Sequence, residues 1–146
     1  MFIFLGCPQE SKEYKFQING EESSMVELTD STYMINYEIK GSYFVVNKVI
    51  FSDFHFKVKN IGLQSKELYL AETDFDVENY NSNQISDSIK LILQPNEEQE
   101  INLSFRNEEF INKINTDLPQ KGNLLFSWKF PYSTITMEKF LVLFTD

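Results

Sequence analysis

At 146 residues the chain is the size of one domain, long enough to bury roughly two-thirds of the surface it exposes when unfolded. Its net charge is −9 and Arg106 is the only arginine among 13 basic residues, so clustered cations to neutralise phosphates are missing and nucleic acid is not an expected partner. Phenylalanine (14) and tyrosine (7) are plentiful enough to fill a core with large rings, and the single cysteine, Cys7, rules out an intramolecular disulfide.

The chain opens Met1-Phe2-Ile3-Phe4-Leu5-Gly6-Cys7, an apolar run closed by Gly-Cys, and turns polar at once with Pro8-Gln9-Glu10-Ser11-Lys12-Glu13. This resembles the end of a bacterial lipoprotein signal, in which a small residue precedes the lipid-bearing cysteine and a charged tether follows. The resemblance implies cleavage between Gly6 and Cys7 and a lipid on Cys7. The apolar stretch is shorter than the roughly 7–15 residues of a secretory core, and no Lys or Arg precedes it. That fits a start falling inside a longer signal. A second reading of the same residues is a first strand with Cys7 packed as a small hydrophobe. No run of about 18 apolar residues occurs, so membrane attachment is expected only through a lipid on Cys7.

Residues 14–18 alternate apolar and polar and stop at Asn19-Gly20, a strong hairpin signal, with residues 24–28 as the return strand. A third strand, residues 33–39, is bounded by Gly41. Residues 43–51 are mostly apolar and β-branched, which predicts a strand buried on both faces or bulged. Phe54-His55-Phe56-Lys57-Val58-Lys59 alternates strictly and ends at Asn60-Ile61-Gly62; alternation of this period buries one face of a strand and wets the other. Residues 68–71 and 75–77 read as an edge hairpin, and the Asn- and Ser-rich tract 78–88 as a surface loop. Residues 89–93 and 100–105 flank a turn at Pro95. One short helix is expected over 108–114, with Glu108 and Glu109 at the positive end of its dipole, ended by Pro119 and Gly122. Residues 123–130 and 134–144 are two strong strands around Pro131. Nine or ten strands with turn signals about every ten residues predict a sandwich or barrel rather than βαβ units. Residues 1–13 are then a residual signal and tether, and 14–146 a single β-sandwich domain.

Nucleophilic catalysis needs a hydroxyl or thiol within reach of a base, usually His. The single histidine, His55, alternates with Phe54 and Phe56 and is expected on the solvent face. Ser52 and Asp53 lie beside it in sequence, but the chain has no Gly-x-Ser-x-Gly turn, so no enzyme and no catalytic residue is expected. Oxygen ligands of the kind calcium prefers crowd together at Asp74, Asp76, Glu78, Asn79, Asn81, Asn83 and Asp87. Counted from Asp74, however, the sixth and twelfth positions hold Asn79 and Ile85 where a calcium loop needs Gly and Glu. Asp74 and Asp76 therefore read as outward residues of a strand whose Phe75 and Val77 point in, and neither a metal nor a cofactor is expected. Trp128 shares parity with Phe126 and Phe130 and reads as core, while Tyr80 and Tyr132 read as exposed loop rings.

Phe-x-Phe-x-Val-x-Asn-x-Gly (Phe54 to Gly62), followed by Leu-x-Pro-x-Glu (Leu93 to Glu97) and Ile101-x-Leu103-x-Phe105, resembles the immunoglobulin-like domains of bacterial surface proteins and lipoproteins. Asn96 stands where a glycine usually follows the proline, and asparagine tolerates positive φ. The resemblance covers roughly residues 43–144. It implies an all-β, immunoglobulin-like antiparallel sandwich in which Phe54, Phe56 and Val58 face Ile101, Leu103 and Phe105 across the core. It also implies a non-catalytic extracytoplasmic interaction module, lipid-anchored to a bacterial membrane through Cys7, binding an unknown protein or cell-envelope partner with loops such as 78–88 or 106–121. The alternative is a small sandwich inhibitor of a hydrolase, since a family of bacterial proteinase inhibitors uses a similar scaffold. Without the lipid the protein would be secreted or cytoplasmic, and its oligomeric state is left open.

Overall fold

The computed structural model describes residues 12–29, 33–78, 80–84, 89–109, 119–131, 133–134 and 138–145. Within them lie twelve strands and no helix: β1 (Tyr14–Lys15), β2 (Gln17–Ile18), β3 (Ser23–Leu28), β4 (Ile35–Val46), β5 (Val49–Asn60), β6 (Lys66–Val77), β7 (Tyr80–Gln84), β8 (Ile89–Leu93), β9 (Glu98–Glu109), β10 (Lys121–Phe130), β11 (Ser133–Thr134) and β12 (Glu138–Leu143). All pairings are antiparallel, and they form one continuous sheet in the order β1-β4-β5-β9-β7-β6-β10-β12-β2. β3 lies beside β4, β8 beside β6 and β11 beside β10. The sheet doubles over at β7, which pairs with β9 along its length and with β6 at Val77↔Tyr80. Rings of β4 and β5 then meet rings of β6 and β10 edge-on between the layers: Phe54 lies 5.0 Å from Phe75, Phe56 5.2 Å from Phe126, and Tyr37 5.8 Å from Phe126. The result is an all-β, sandwich-like molecule of two facing layers.

Alternation in the sequence selects the buried face. In β5, Ile50, Ser52, Phe54, Phe56, Val58 and Asn60 point inward and the residues between them outward. Phe16, Phe54, Phe56, Phe75, Phe105, Phe126 and Trp128 are fully buried. Each such ring contributes about 1.5–3 kcal/mol by leaving water, and the edge-on pairs among them add about 0.5–1.5 kcal/mol each. Tyr37 reaches from one layer to the other, its hydroxyl donating to Glu138 Oε1 at 3.0 Å. Burial, reinforced by the negative charge of Glu138, holds the Tyr37 hydroxyl far above the ordinary tyrosine range.

Several expectations are corrected. Residues 43–51 are a hairpin rather than one buried strand: Asn47 and Lys48 both adopt positive φ (51° and 66°), a turn whose twist matches the strands it joins. β4 runs straight through Gly41 instead of stopping there. A Cβ at Gly41 would lie 2.8 Å from Phe54 Cδ1 and 2.9 Å from Phe16 Cδ2, so the glycine makes room for two rings. Residues 68–77 form one central strand with a bulge at Glu72 (φ 54°), where the register against β10 slips between Leu125 and Ser127. The tract 78–88 contains β7, because β9 offers pairing partners for 80–84. Glu108 and Glu109 end β9 rather than opening a helix; the remainder of the expected helix, 110–118, lies outside the described residues. Phe54 and Phe56 are side-by-side neighbours of Leu103 and Ile101 in one layer, and Phe75, Phe126 and Trp128 are what they face across the core.

The Asn19-Gly20 hairpin turn does form, with Ile18 and Glu21 exchanging both backbone hydrogen bonds. Its two arms then separate: β2 joins β12, and β3 joins β4. Phe16 marks the crossing between layers, its N–H donating to Gly41 O at 2.9 Å while β1 pairs with β4.

The Asn60 and Pro95 motifs are halves of one knot. Asn60 is fully buried. Its N–H donates to Glu97 O at 3.0 Å and its carbonyl accepts from Asn96 N–H at 2.9 Å. Its side-chain Nδ2 donates to Gln64 O (2.8 Å) and Leu93 O (3.0 Å), and its Oδ1 accepts from Gly62 N–H (2.8 Å). Asn60→Ala leaves those buried groups unpaired and is expected to lower the unfolding free energy by about 3 kcal/mol, read from urea denaturation; an unchanged midpoint would refute the knot. In the same turn, the Gln94 N–H donated to the Glu97 carboxylate (2.8 Å), and then the Gln99 amide, hold the Glu97 pKa below its ordinary value of 4.5. A depressed folded pKa adds stability above the unfolded value and loses it as pH falls through the folded one. Wild type should therefore lose stability relative to Glu97→Gln as the pH drops below 4.5, and parallel acid-unfolding curves would contradict this.

Candidate functional site

Strand register decides which polar side chains meet on the outer face of β3, β4, β5 and β9. One row across the sheet runs Ser23, Lys40, His55, Asn102; the next runs Ser42, Asp53, Ser104. On the other side stands the row Met25, Glu38, Lys57, Glu100. Neighbouring rows are tied together. His55 Nδ1 meets Asn102 Oδ1 at 2.8 Å and Nε2 meets Glu100 Oε1 at 2.6 Å. Ser104 Oγ donates to Asp53 Oδ1, and Ser42 Oγ donates to Glu13 Oε2 at 3.1 Å. The chain's detour into the other layer leaves a notch between β1 and β3, spanned by Lys15 Nζ and Glu22 Oε1 at 3.9 Å. Notch and rows together enclose an open groove of about 560 Å³ above Gly41, reaching from Glu13 and Lys15 across to Asn102 and Ser104.

Lys15, Lys40 and His55 contribute cationic or titratable groups to this groove, and Glu13, Glu22 and Asp53 contribute carboxylates. Such a mixed lining offers hydrogen bonds of both senses without a single-sign field. His55 lies on the outer face, as its parity predicted, yet both of its nitrogens face side-chain oxygens and neither meets a hydroxyl. Ser52 lies on the opposite, buried face, so sequence adjacency to His55 does not bring the two together. Farther along the same face, Phe44 and Phe51 stack at 5.1 Å, with the Arg106 guanidinium 6.0 Å from the Phe51 ring.

Other sequence candidates are dispersed. Cys7, Asn79, Asp87 and Tyr132 lie outside the described residues. Asp74, Asp76 and Glu78 are exposed at the end of β6, and among the described residues no group of three or more His, Cys, Asp or Glu side chains is placed to hold a metal ion. Tyr80, expected as an exposed ring, is only 8 % exposed and belongs to the core, as does Trp128. Ser42, Asn102 and Ser104 escaped sequence reasoning; only the pairing register puts them beside Asp53 and His55.

No family model and no curated protein matches the chain. Among solved structures, a FixG-related protein from Vibrio parahaemolyticus is similar over 85 % of this chain and 94 % of that one, at 12 % identity and a TM-score of 0.39. At that level the likeness bears on neither fold nor activity.

Because the His55 side chain is half-exposed and its partners lie at the surface, His55→Ala is expected to change the unfolding free energy by less than about 1 kcal/mol. A urea-denaturation loss well beyond that would make His55 part of the scaffold rather than of the groove.

Proposed function

We propose that the chain is a non-catalytic interaction module with an immunoglobulin-like fold, displayed outside the cytoplasm and held to a membrane by a lipid on Cys7. Strand order supports the fold reading. β5-β9-β7 in one layer and β6-β10-β12 in the other occupy the places of the B-E-D and C-F-G strands of such sandwiches. The first strand divides between both layers, and the β3–β4 hairpin is an addition to that plan.

The observation that carries the interaction reading is the open groove on the β3-β4-β5-β9 face, whose lining is set in place by cross-strand hydrogen bonds before any partner arrives. Glu13, at its rim, follows Cys7 by six positions. A fully extended tether of that length spans about 20 Å, so a lipid on Cys7 would keep the groove close to the membrane surface.

The test uses the gene with its own upstream region in a bacterial host supplied with a clickable fatty acid. The wild-type protein should take up label and sediment with membranes, and Cys7→Ser should lose both. A photocrosslinking residue at position 40, in the groove, should capture envelope components, whereas the same residue at Lys139 on the opposite outer face should not. An unlabelled protein that keeps Met1 in its intact mass overturns the anchor, and equal capture from both faces overturns the groove.

A further inference from the structure

Antiparallel sheets end in edges whose backbone groups are open to another strand, and proteins blunt them with lysine, proline, bulges or brevity. Among the described residues, β1, β2 and β11 present two residues each, and β7 is short and polar. β8 carries Lys90, and its Ile92 carbonyl accepts the Gln99 side chain at 3.2 Å. Among the described residues, β3 is the longest strand that pairs on one side only along its whole length, and it has none of these guards. All six of its residues pair with β4 on one side only, from Ser23↔Lys40 to Leu28↔Ile35. Its sequence, Ser-Ser-Met-Val-Glu-Leu, contains neither Lys nor Pro, and Met25 is 70 % exposed.

Charge and shape say what this edge would accept. Between Lys15 and Lys40 the chain has no basic residue, while Glu21, Glu22, Glu27, Asp30 and Glu38 are acidic. Two depressions border β3 on the outer face: the large mixed-charge groove at Ser23, and a smaller one of about 230 Å³ lined by Met25, Glu38 and Glu98 together with Lys57 and Lys59, so that Glu27 is the carboxylate of the strand itself. A second copy of the chain would bring Glu27 and a net charge of −9 against the same acidic edge.

We infer that β3 is the docking edge for an extended basic segment of a partner protein. The segment adds to the sheet as a further strand, with an apolar side chain on Met25 and cationic side chains flanking it toward Glu27 and Glu22. Strand addition supplies affinity through the main chain and specificity through alternate side chains. This inference rests on the interaction-module reading above and names the partner's chemistry.

The probe is a blocked peptide, Thr-Lys-Thr-Val-Thr-Lys-Thr, titrated into the 15N-labelled protein, with a control in which both lysines are glutamate. The lysine peptide should shift the amide resonances of residues 23–28 and slow hydrogen exchange at the open-edge amides at least tenfold. The glutamate peptide should do neither. Met25→Lys, shown to be folded by unchanged circular dichroism and melting, should weaken the lysine peptide at least tenfold. No shift at millimolar peptide overturns the inference, and so does equal binding of both peptides. Protection that grows with protein concentration alone, with a dimer in sedimentation, assigns the edge to a second copy and overturns it too. Shifts centred on His55 and Asn102 move the docking to the groove and leave the module reading intact. That reading fails separately, through an unlabelled Cys7 or equal crosslinking from both faces.

Discussion

Asn60 closes the central strand β5, shapes the loop to β6, and accepts and donates the hydrogen bonds that seat the turn between β8 and β9. β8 belongs to one layer and β9 to the other, so this single buried side chain sets how the two halves of the sheet meet at that end. An amide is suited to the task because it offers two donors and an acceptor on one short, rigid stem. Aspartate would lack the donors that reach Gln64 and Leu93, and a larger side chain would not fit where burial is complete.

At the opposite side of the sandwich the constraint is steric. Phe16 lies in the core where the first strand changes layers, stacked on Tyr43 and Phe54 and edge-on to Phe75 and Phe144. Gly41 leaves room for it. The same crossing opens the notch between β1 and β3, so the packing demand inside and the groove outside are two sides of one event. Ring packing also explains how a domain without a disulfide can be well ordered: interlocked aromatic side chains leave few alternative arrangements at interior density.

Period-two alternation marked the inward residues of β5 and the outward place of His55, and Asn19-Gly20 and Pro95 announced their turns. Turns without glycine were harder to see. Asn47-Lys48 adopts the same left-handed geometry, yet its flanking valines read as an unbroken strand. Gly41 misled in the other direction, since its role is close approach rather than chain reversal. Alternation also says which way a side chain points but not which strand lies beside it. Phe54 and Leu103 were therefore expected across the core when they are neighbours in one layer. The polar run at 80–84 became a strand because β9 offered it partners, a tertiary effect that local propensity does not carry. The groove suffered most from this limit: the face of His55 was readable, whereas Ser42, Asn102 and Ser104 join it only through register.

The division of the first strand between layers bears on the order in which the molecule is made. Asn19 Oδ1 accepts from Leu141 N–H across 122 positions of the chain, and Thr145 reaches back to the Lys15 carbonyl. Residues 15–19 thus find several of their hydrogen-bonding partners only once residues 141–145 are in place. Contacts of such long range make folding slow, and during elongation the β12 position is vacant while its neighbour β10 is still incomplete. A protein wired in this way completes the packing around Phe16 late, because the partners near residues 141–145 must already be in place.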